Sequence, residues 1–474
     1  MSDNFERVDF DLPIPESLGE ALALLKQSGG SCFLVGGCVR DAIEGISPTD
    51  FDVEVFGLEL DEIAAILSKV GKTDLVGRSF AVVKLWSKRA EYDFSVPRTE
   101  TKSGQGHRGF DIETDPNLDP KLALKRRDFT INALQYDPYE KTIIDYFGGL
   151  DDLKGKELRH VGSAFSEDPL RALRAMQFAG RFGLSLNTET AELCREMKRE
   201  FAYVATERIW GEWQKWACQS ITPSKGLVAL KASGWISFFP EINALLRLPQ
   251  EPEWHPEGDV FTHTLHCIDA LAGHPDWSGF GSDTKATLML AALCHDLGKA
   301  RRTRYVEFKG ALRWTSPGHD QESGWLSDSL MTRIGAPNAL KEKIRALVVN
   351  HHFLSSFIDS QPSDASIKRL SKRIHPATTN ELYYVMWADH NGRPPLLSEK
   401  QEKRLVYFKK RIRELAVKDE APKPILMGRH LIERGLEPGP QFKPIISKAY
   451  KAQLKGAFDN LDGALDWIER ESLI

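Results

Sequence analysis

Long apolar runs are missing from this chain of 474 residues. No uninterrupted apolar stretch approaches the roughly 20 residues that a helix needs to cross a bilayer. The N-terminal sequence MSDNFERVDFD has neither the basic nor the apolar segment of a secretory signal peptide. We therefore expect a protein that has no membrane partner and resides in the cytoplasm.

Paired cysteines and a large net charge are also absent. The six cysteines are widely spaced without a C-x-x-C motif, so the usual zinc and redox patterns are missing and reduced thiols are expected. The formal net charge of −4 gives no general attraction for nucleic acid, so any such partner must be bound by local patches. Nothing in the sequence indicates an oligomeric state.

The pattern of apolar residues changes along the chain. Over the first 150 residues, short β-rich runs (CFLVGG, FDVEVFG, FAVVKLW, EYDFSV) mix with helical patterns, which predicts a small α/β or α+β domain. Helical periodicity follows, with turn-rich breaks near residues 248–258 and 421–424. We expect four domains: an α+β head over 1–150, a helical neck and body over 151–250, a histidine-bearing helical domain over 251–420, and a helical tail over 421–474.

Two aspartates in the run TDFDVEVFG are the first candidates for chemistry. Residues i and i+2 of a strand point to the same face, so the carboxylates of Asp50 and Asp52 should lie together. Hard oxygen ligands on one face suit Mg²⁺, and two such ions can hold the attacking and leaving oxygens of a phosphoryl transfer. Asp93, on the next predicted strand, can supply a third carboxylate.

A glycine turn precedes this pair in the segment LVGGCVRD. Gly36 and Gly37 stand between a β-like run and a helical run, where missing side chains let backbone N–H groups approach a phosphate. Arg40 follows in the same segment. Together with the aspartates, this turn favours a phosphoryl-transfer site over a solvated pair of aspartates on an edge strand.

Five segments occur in an order that resembles one protein family. They are LVGGCVRD, TDFDVEVFG, KRRDFTINAL, YFGGLDDL and EDPLRALRAMQFAGRFG. The combination resembles the bacterial class II tRNA nucleotidyltransferases, the CCA-adding enzymes, and their poly(A) polymerase relatives. The resemblance implies an α+β nucleotidyltransferase head of the DNA polymerase β type, followed by an all-α neck and body, a helical HD domain and a helical tail.

The resemblance also implies an activity and its partners. The activity is template-independent addition of CCA to the 3′ end of tRNA from CTP and ATP, with release of pyrophosphate. Asp50 and Asp52 would be Mg²⁺ ligands and, with Asp93, the catalytic residues. The residues that would contact the incoming nucleotide are Gly37, Arg40, Arg127, Asp128, Asn132, Asp168, Arg171 and Arg174.

In this family, the residues matching Asp168 and Arg171 select the base. Their i, i+3 spacing predicts one helical face. Aspartate accepts and arginine donates hydrogen bonds, so the pair can address an exocyclic amino group beside a ring-nitrogen acceptor. Cytosine and adenine present that pattern, whereas guanine and uracil present a carbonyl and an N–H. We expect Glu207 and Arg208, in the helical run ATERIWGEW, to give structural support.

Most of the histidines fall in the third predicted domain. His295-Asp296 in ALCHDLGKA, together with histidines on either side, forms the pattern of a metal-dependent HD phosphohydrolase. The block resembles the HD domain of one group of CCA-adding enzymes, which has phosphatase, 2′-nucleotidase and 2′,3′-cyclic phosphodiesterase activities. The resemblance implies a divalent metal, of unspecified identity, held by His263, His295, Asp296, His319, Asp389 and His352, with His351 competing for the last position.

Three alternatives remain open. A poly(A) polymerase shares the transferase core, but VGRSFAVVKL lacks the more basic pattern of those enzymes. The long polar segment Arg98–Lys125 is typical of the mobile loop that accompanies complete CCA addition in this family. A noncatalytic RNA-binding scaffold would not need the acidic and basic residues named above. In the third alternative, phosphohydrolysis by the histidine-bearing domain is the main activity.

Overall fold

The computed structural model forms two compact units, which we describe separately. The first consists of Met1–Trp216 and Lys225–Ser237, and the second of Ala217–Ser224 and Phe238–Ile474. The structure describes residues 5–76, 81–88, 90–102, 110–308, 310–357, 360–394 and 398–474. The predicted neck and body, 151–250, is divided between the two units, and the division into four domains stays a prediction.

A mixed β-sheet forms the head of the first unit. Its strands run in the order β1-β10-β9-β2-β3-β6-β5-β4, and β7 and β8 form a separate antiparallel pair. The first ten strands are β1 (Glu6–Asp9), β2 (Ser31–Val35), β3 (Phe51–Phe56), β4 (Lys72–Val76), β5 (Val82–Ser87), β6 (Ala90–Ser95), β7 (Arg98–Lys102), β8 (Phe110–Thr114), β9 (Leu134–Asp137) and β10 (Thr142–Asp145). The four β-rich runs of the sequence correspond to β2, β3, β5 and β6, which confirms them as strands.

Alternation along β3 determines which side chains face the core. Val53 and Val55 are fully buried, whereas Asp52 points to the opposite face. β3 pairs in parallel with β6 and antiparallel with β2, so that Asp52 lies opposite Asp93 on one side and Val35 on the other. Asp52 and Asp93 therefore lie side by side, next to the turn that follows β2.

The helices of the N-terminal half begin with α1 (Glu16–Gln27), α2 (Gly37–Ile43), α3 (Leu60–Leu67), α4 (Pro120–Lys125) and α5 (Gly149–Gly155). They continue with α6 (Arg171–Phe182), α7 (Thr188–Glu196), α8 (Thr206–Gln219) and α9 (Pro223–Ala232). The apolar residues that recur with a helical period at α6 and its N-cap are all buried: Leu170, Leu173, Met176, Phe178 and Phe182. A short parallel pair, β11 (Glu157–Leu158) and β12 (Ser185–Leu186), means that the neck is not purely helical.

Two predicted segments lie partly outside the described residues. These parts are residues 77–80 of VGRSFAVVKL and residues 103–109 of the long polar segment. The described remainder of Arg98–Lys125 contributes β7, β8 and α4, so this segment includes regular structure where a loop was expected.

Helices predominate in the second unit. They are α10 (Pro240–Asn243), α11 (Val260–Ala272), α12 (Ser282–Cys294), α13 (Lys299–Arg302), α14 (His319–Arg333), α15 (Asn338–Asn350), α16 (Asp364–Arg373), α17 (Thr379–Asn391), α18 (Glu399–Glu414), α19 (Gly428–Glu433), α20 (Phe442–Leu454) and α21 (Leu461–Arg470). An antiparallel hairpin of β13 (Arg304–Phe308) and β14 (Ala311–Thr315) interrupts the predicted helical pattern. Within the described ranges, none of the helices combines the length and the apolarity that a membrane span requires.

Candidate active sites

Three carboxylates meet near the start of β3, an inner strand of the head sheet. Asp52 of β3 and Asp93 of β6 are paired in register on adjacent strands, and Asp50 lies two residues before Asp52 in the chain. Lys84 of β5 lies opposite Asp93, and its Nζ is 3.3 Å from Asp93 Oδ1. The structure thus brings the three predicted acids together, and adds a lysine that the sequence analysis missed.

The charge state of Asp52 reflects this crowding. Its side chain keeps contact with solvent, but desolvation by the surrounding protein raises the pKa of Asp52. Arg127 opposes the rise, whereas the charges of Asp50 and Asp93 add to it. A group of carboxylates that repel one another in this way has the donor set that Mg²⁺ prefers.

The glycine turn lies against the same carboxylates. Gly36 has a φ of 75°, in the left-handed region that favours glycine. A Cβ atom at this position would be 3.0 Å from Arg127 Nη1 and 3.8 Å from Asp52 Oδ2. Gly37 begins α2 immediately afterwards. The missing side chain therefore leaves space between a cation and a carboxylate.

A buried hydrogen-bonded network supports this arrangement. Arg174 Nε donates to Asp128 Oδ2 at 2.7 Å, and Asn132 Nδ2 donates to Asp128 Oδ1 at 2.9 Å. Arg40 donates to Asn132 and stacks on Phe182, with 4.4 Å from its guanidinium carbon to the ring centroid. Burial opposes ionisation, but Arg174 and Asn132 lower the pKa of Asp128 to about 2. In this geometry the buried Arg40 orients Asn132 instead of facing open solvent.

The expectation that Asp168 and Arg171 share one helical face is wrong. Asp168 follows the 3-10 segment Ser163–Glu167 with an extended backbone, and α6 begins only at Arg171. Asp168 instead accepts hydrogen bonds from both terminal nitrogens of Arg208, at 2.7 and 3.2 Å. Arg171 donates to two backbone carbonyl oxygens at 2.7 Å. Arg208 of α8, expected to give structural support, therefore contacts a predicted base-selecting residue directly.

Buried ligand atoms converge at a first position in the second unit. His263 Nε2 lies 3.2 Å from Asp389 Oδ1 and 3.4 Å from His295 Nε2. Asp296 Oδ2 is 3.2 Å from His295 Nε2. Donor atoms around one ion with bonds of about 2.0–2.2 Å are separated by such distances, so this donor set fits a divalent metal.

A second position lies on the other side of Asp296. Its Oδ1 is 3.1 Å from His319 Nε2 and 4.0 Å from His351 Nε2. These three atoms are buried, and the described residues provide no partner with hydrogen-bond geometry for any of them. The ring of His352 lies edge-to-face against that of His319, with 4.6 Å between the two ring centroids. Because His351 turns Nε2 towards Asp296, the geometry favours His351 over His352 for the contested position. The two oxygens of Asp296 therefore face two groups of histidines.

Four histidines point Nε2 into the site, and each is oriented by a partner of its Nδ1. In metal sites, a partner on the outer nitrogen fixes the tautomer and directs the lone pair of the inner nitrogen to the ion. The Nδ1 partners are Ala292 O for His295 at 2.7 Å, Ser316 O for His319 at 2.8 Å, Val348 O for His351 at 2.6 Å, and the carboxylate of Glu257 for His263 at 2.8 Å. All four Nε2 atoms are thereby directed inwards.

Positive groups keep the two aspartates of this site ionised. Burial acts against ionisation, but His295 and Lys299 hold the pKa of Asp296 well below its usual value. Arg393, which donates to Asp389, is the main cause of a similarly low pKa at Asp389. The site thus retains anionic ligands although it is almost completely buried.

A cavity of about 890 Å³ opens beside these ligands. His319 and His352 form part of its wall, and Lys299, Arg393 and Arg404 contribute positive charge. Trp254 and Trp314 line another part of the wall. A cavity of this size accommodates a nucleotide-sized molecule, and its cations suit a phosphate group.

Comparisons with known proteins agree with this description. Residues 32–159 match the model of the Poly A polymerase head domain. A Multifunctional CCA protein from Nitrosospira multiformis is 35% identical over 323 residues, which cover 68% of this chain and 72% of that protein. This second comparison extends well beyond the head domain.

Solved structures share the fold at lower sequence identity. The Bacillus stearothermophilus CCA-adding enzyme in complex with CTP has a TM-score of 0.64 at 21% identity, covering 97% of this chain and 98% of that enzyme. The Thermotoga maritima CCA-adding enzyme complexed with tRNA-CCA has a TM-score of 0.60 at 21% identity, covering 98% and 99%. With the sequence identity above, these comparisons lead to one conclusion: the chain belongs to the family of the multifunctional CCA proteins.

Proposed function

We propose that this enzyme adds C, C and A to the 3′ end of tRNA, using CTP and ATP and releasing pyrophosphate. The observation that carries the proposal is the meeting of Asp52, Asp93, Arg127 and the Gly36 turn near the start of the inner strand β3. The curated relative is a multifunctional CCA protein, and enzymes of the same fold hold CTP or tRNA-CCA, which supports these partners. tRNA and nucleotide substrates are present in the cytoplasm, where we place the protein.

The reaction joins the 3′ oxygen of the tRNA to the α-phosphorus of the nucleotide and breaks the bond to the β-phosphate. Membership of the family implies a divalent metal, and Mg²⁺ bound by Asp50 and Asp52 would activate the attacking oxygen and neutralise the leaving pyrophosphate. We infer that Arg127, whose guanidinium borders the space left by Gly36, contacts the triphosphate. Asp93 completes the acidic group, and Lys84 limits the repulsion within it.

Base selection depends on the neck of the first unit. Asp168 offers acceptor atoms and Arg171 offers donor atoms, which together match the edges of cytosine and adenine. Arg208 holds the Asp168 carboxylate, while the carbonyl partners of Arg171 fix its guanidinium. Arg174 and Asn132 orient Asp128, which we assign to the nucleotide sugar and phosphates.

An extension assay tests this proposal. The enzyme is incubated with a tRNA lacking its last three nucleotides, CTP, ATP and Mg²⁺, and products are separated at single-nucleotide resolution. We expect extension by three nucleotides, and we expect the double variant Asp50→Ala, Asp52→Ala to bind the tRNA without extending it. Undiminished extension by the double variant would reject the metal assignment.

We propose a second activity, phosphoester hydrolysis by the second unit. The observation that favours it is the bridging geometry of Asp296, whose two oxygens face separate groups of inward-directed histidines beside a cation-lined cavity. Divalent ions held by these histidines and aspartates would supply activation of water, and we infer that Lys299 and Arg393 of the cavity wall bind the phosphate. Release of phosphate from a 2′-nucleotide, measured with added divalent ions, should disappear in Asp296→Ala; equal release by this variant would reject the site.

A further inference from the structure

Three exposed apolar side chains, which we call the apolar wall, border the same cavity as the histidines of the second metal position. Val306 and Phe308 of β13 stand two residues apart, so their side chains project from the same face of the hairpin β13–β14. Trp254, in the turn-rich segment before α11, lines the same cavity. The exposed fractions are 41% for Trp254, 39% for Val306 and 40% for Phe308.

The cavity combines this wall with positive charge. Lys299, Arg393 and Arg404 line it together with the apolar side chains. Exposed apolar residues that are gathered in one concavity, unlike single ones scattered over a surface, are typical of a binding site. A ligand that satisfies both parts of the lining carries an anion and a flat apolar group within one small molecule. A nucleotide has this composition, because a ribose joins its phosphate to its base.

We propose that the apolar wall binds the nucleobase of the hydrolase substrate, that Trp254 stacks on this base, and that the site thereby selects phosphoesters that carry a base. The inference rests on the proposed hydrolase site and adds the part of the substrate that is recognised. Stacking on an aromatic ring tolerates every base, because every base has a π-face. The wall therefore distinguishes substrates with a base from those without one, and distinguishes little between one base and another.

The indole of Trp254 is held in place from the hairpin. The guanidinium carbon of Arg313 on β14 lies over the indole, 5.6 Å from the ring centroid. The same guanidinium forms an ion pair with Glu253 and lies 3.7 Å from the carboxylate of Glu251. Glu251 also accepts a hydrogen bond from Trp314 N at 3.1 Å. Because the turn is fastened to the hairpin, less side-chain entropy is lost when a base stacks on the indole.

Both parts of the apolar wall are connected to histidines of the metal site. β14 leads into Ser316, whose carbonyl oxygen is the 2.8 Å partner of His319 Nδ1. On the other side, the residue after the tryptophan is His255, and its Nδ1 lies 2.8 Å from the carboxylate of Glu257, which also orients His263. The wall thus has a defined position relative to the metal ligands, as a site must have if it holds a phosphoester for attack.

Two phosphomonoesters that differ in the base test the inference. 2′-AMP and glycerol 2-phosphate both carry phosphate on a secondary alcohol, but only 2′-AMP has a base. We expect the ratio of kcat/KM for 2′-AMP to that for glycerol 2-phosphate to fall roughly 10- to 100-fold in Trp254→Ala, the effect of losing one stacked base. The change should lie mainly in KM for 2′-AMP. Trp254→Phe, which keeps an aromatic ring, should retain most of the ratio.

Another exposed tryptophan provides a matched control. Trp325 of α14 is 60% exposed, and the guanidinium carbon of Arg345 lies 4.4 Å from its ring centroid. It lies outside the described wall of the cavity. Trp325→Ala should therefore keep the ratio of the two substrates at the wild-type value.

Fluorescence measures binding of the base separately from hydrolysis. The full-length protein is treated with a chelator and titrated with 2′-AMP while tryptophan emission is recorded. We expect saturable quenching that Trp254→Phe loses and Trp325→Phe retains, because a stacked base quenches the indole that it contacts.

The outcomes separate this inference from the proposed hydrolase. An unchanged substrate ratio in Trp254→Ala, or undiminished quenching in Trp254→Phe, would overturn the base site. Quenching that depends on Trp254 in a protein that hydrolyses neither ester would support the base site and reject the hydrolase. Equal melting curves for the wild type and both Trp254 variants establish that the losses do not come from unfolding.

Discussion

Single residues determine how closely the charged groups of the transferase site approach one another. Gly36 is the clearest case, because its left-handed backbone and its missing side chain have separate consequences. Backbone strain from a substitution affects stability, whereas a methyl group would enter the space beside Arg127 and Asp52. Gly45, which follows α2 and also has a positive φ, allows the two effects to be separated.

We predict that Gly36→Ala abolishes nucleotide incorporation, whereas Gly45→Ala leaves it nearly intact. Both glycines have a φ near 75°, which costs a residue with a side chain about 1–3 kcal/mol. Only at Gly36 does the added Cβ meet site atoms; at Gly45 no atom of the described residues lies within 4 Å. The check is incorporation of labelled CMP by both variants, with their melting temperatures. Equal loss of activity in both would mean that strain alone disables the enzyme.

The sequence was sufficient to identify residues whose geometry follows from local spacing. Asp93 lies beside Asp52 because β6 is the parallel neighbour of β3. Asp50, directly before β3, is near enough for its charge to raise the pKa of Asp52. The same reasoning failed for Asp168, because a helical period was assumed one turn before α6 begins. The sequence could not choose between His351 and His352 as the metal ligand. That choice depends on the direction of the His351 ring, which a hydrogen bond to the carbonyl oxygen of Val348 determines.

At the scale of elements, α8 positions Asp168, which lies three residues before the start of α6. Arg208 of α8 holds Asp168 by two hydrogen bonds, which no local pattern predicts, because the residues are 40 positions apart. The strands of the head were predictable because their side chains alternate between the core and the opposite face of the sheet. The hairpin β13–β14 was not, because β13 is exposed along its whole length and shows no contrast between its faces.

We predict that Arg208→Ala lowers kcat/KM for CTP and ATP roughly 10- to 100-fold. A hydrogen bond to a charged group contributes about 1.5–3 kcal/mol, and without it the Asp168 carboxylate is free to rotate away from the base. Selection should weaken as well, so that UTP and GTP are incorporated relatively more. Arg199→Ala, an exposed arginine in the same unit, serves as the control. Unaltered base selection in Arg208→Ala would contradict the role of this ion pair.

The contact between α11 and α17 predicts a pH dependence of stability. His274, after α11, accepts a hydrogen bond from Asp276 N at 2.9 Å, and its ring centroid lies 4.5 Å from that of Trp387. Burial lowers the pKa of His274, although Asp276 opposes this. Below the unfolded pKa of about 6.5, the unfolded chain therefore takes up a proton that the folded state resists.

The stabilisation from neutral His274 should accordingly be complete above pH 6.5 and decrease as the pH falls. We predict that the free energy of unfolding of the metal-free protein declines less steeply between pH 7.5 and 5.5 in His274→Gln than in the wild type. Urea denaturation at several pH values provides the comparison. Parallel pH profiles would show that His274 does not titrate differently in the folded state.

At the scale of the whole molecule, the two candidate sites belong to different compact units. We predict that Asp52→Ala lowers nucleotide incorporation at least about a hundredfold and leaves 2′-nucleotide hydrolysis unchanged, and that Asp296→Ala does the reverse. Both activities are measured on the same preparations, with tRNA binding as the control for folding. Loss of both activities in either variant would contradict the assignment of separate sites.

The protein alone should select C, C and A for the tRNA end. A decisive experiment supplies all four nucleoside triphosphates with a tRNA lacking its terminal CCA, and sequences the 3′ ends of the products. We predict a single ending, CCA, with growth stopping after the adenosine. A homopolymeric A tail, or unselective addition of all four nucleotides, would contradict it.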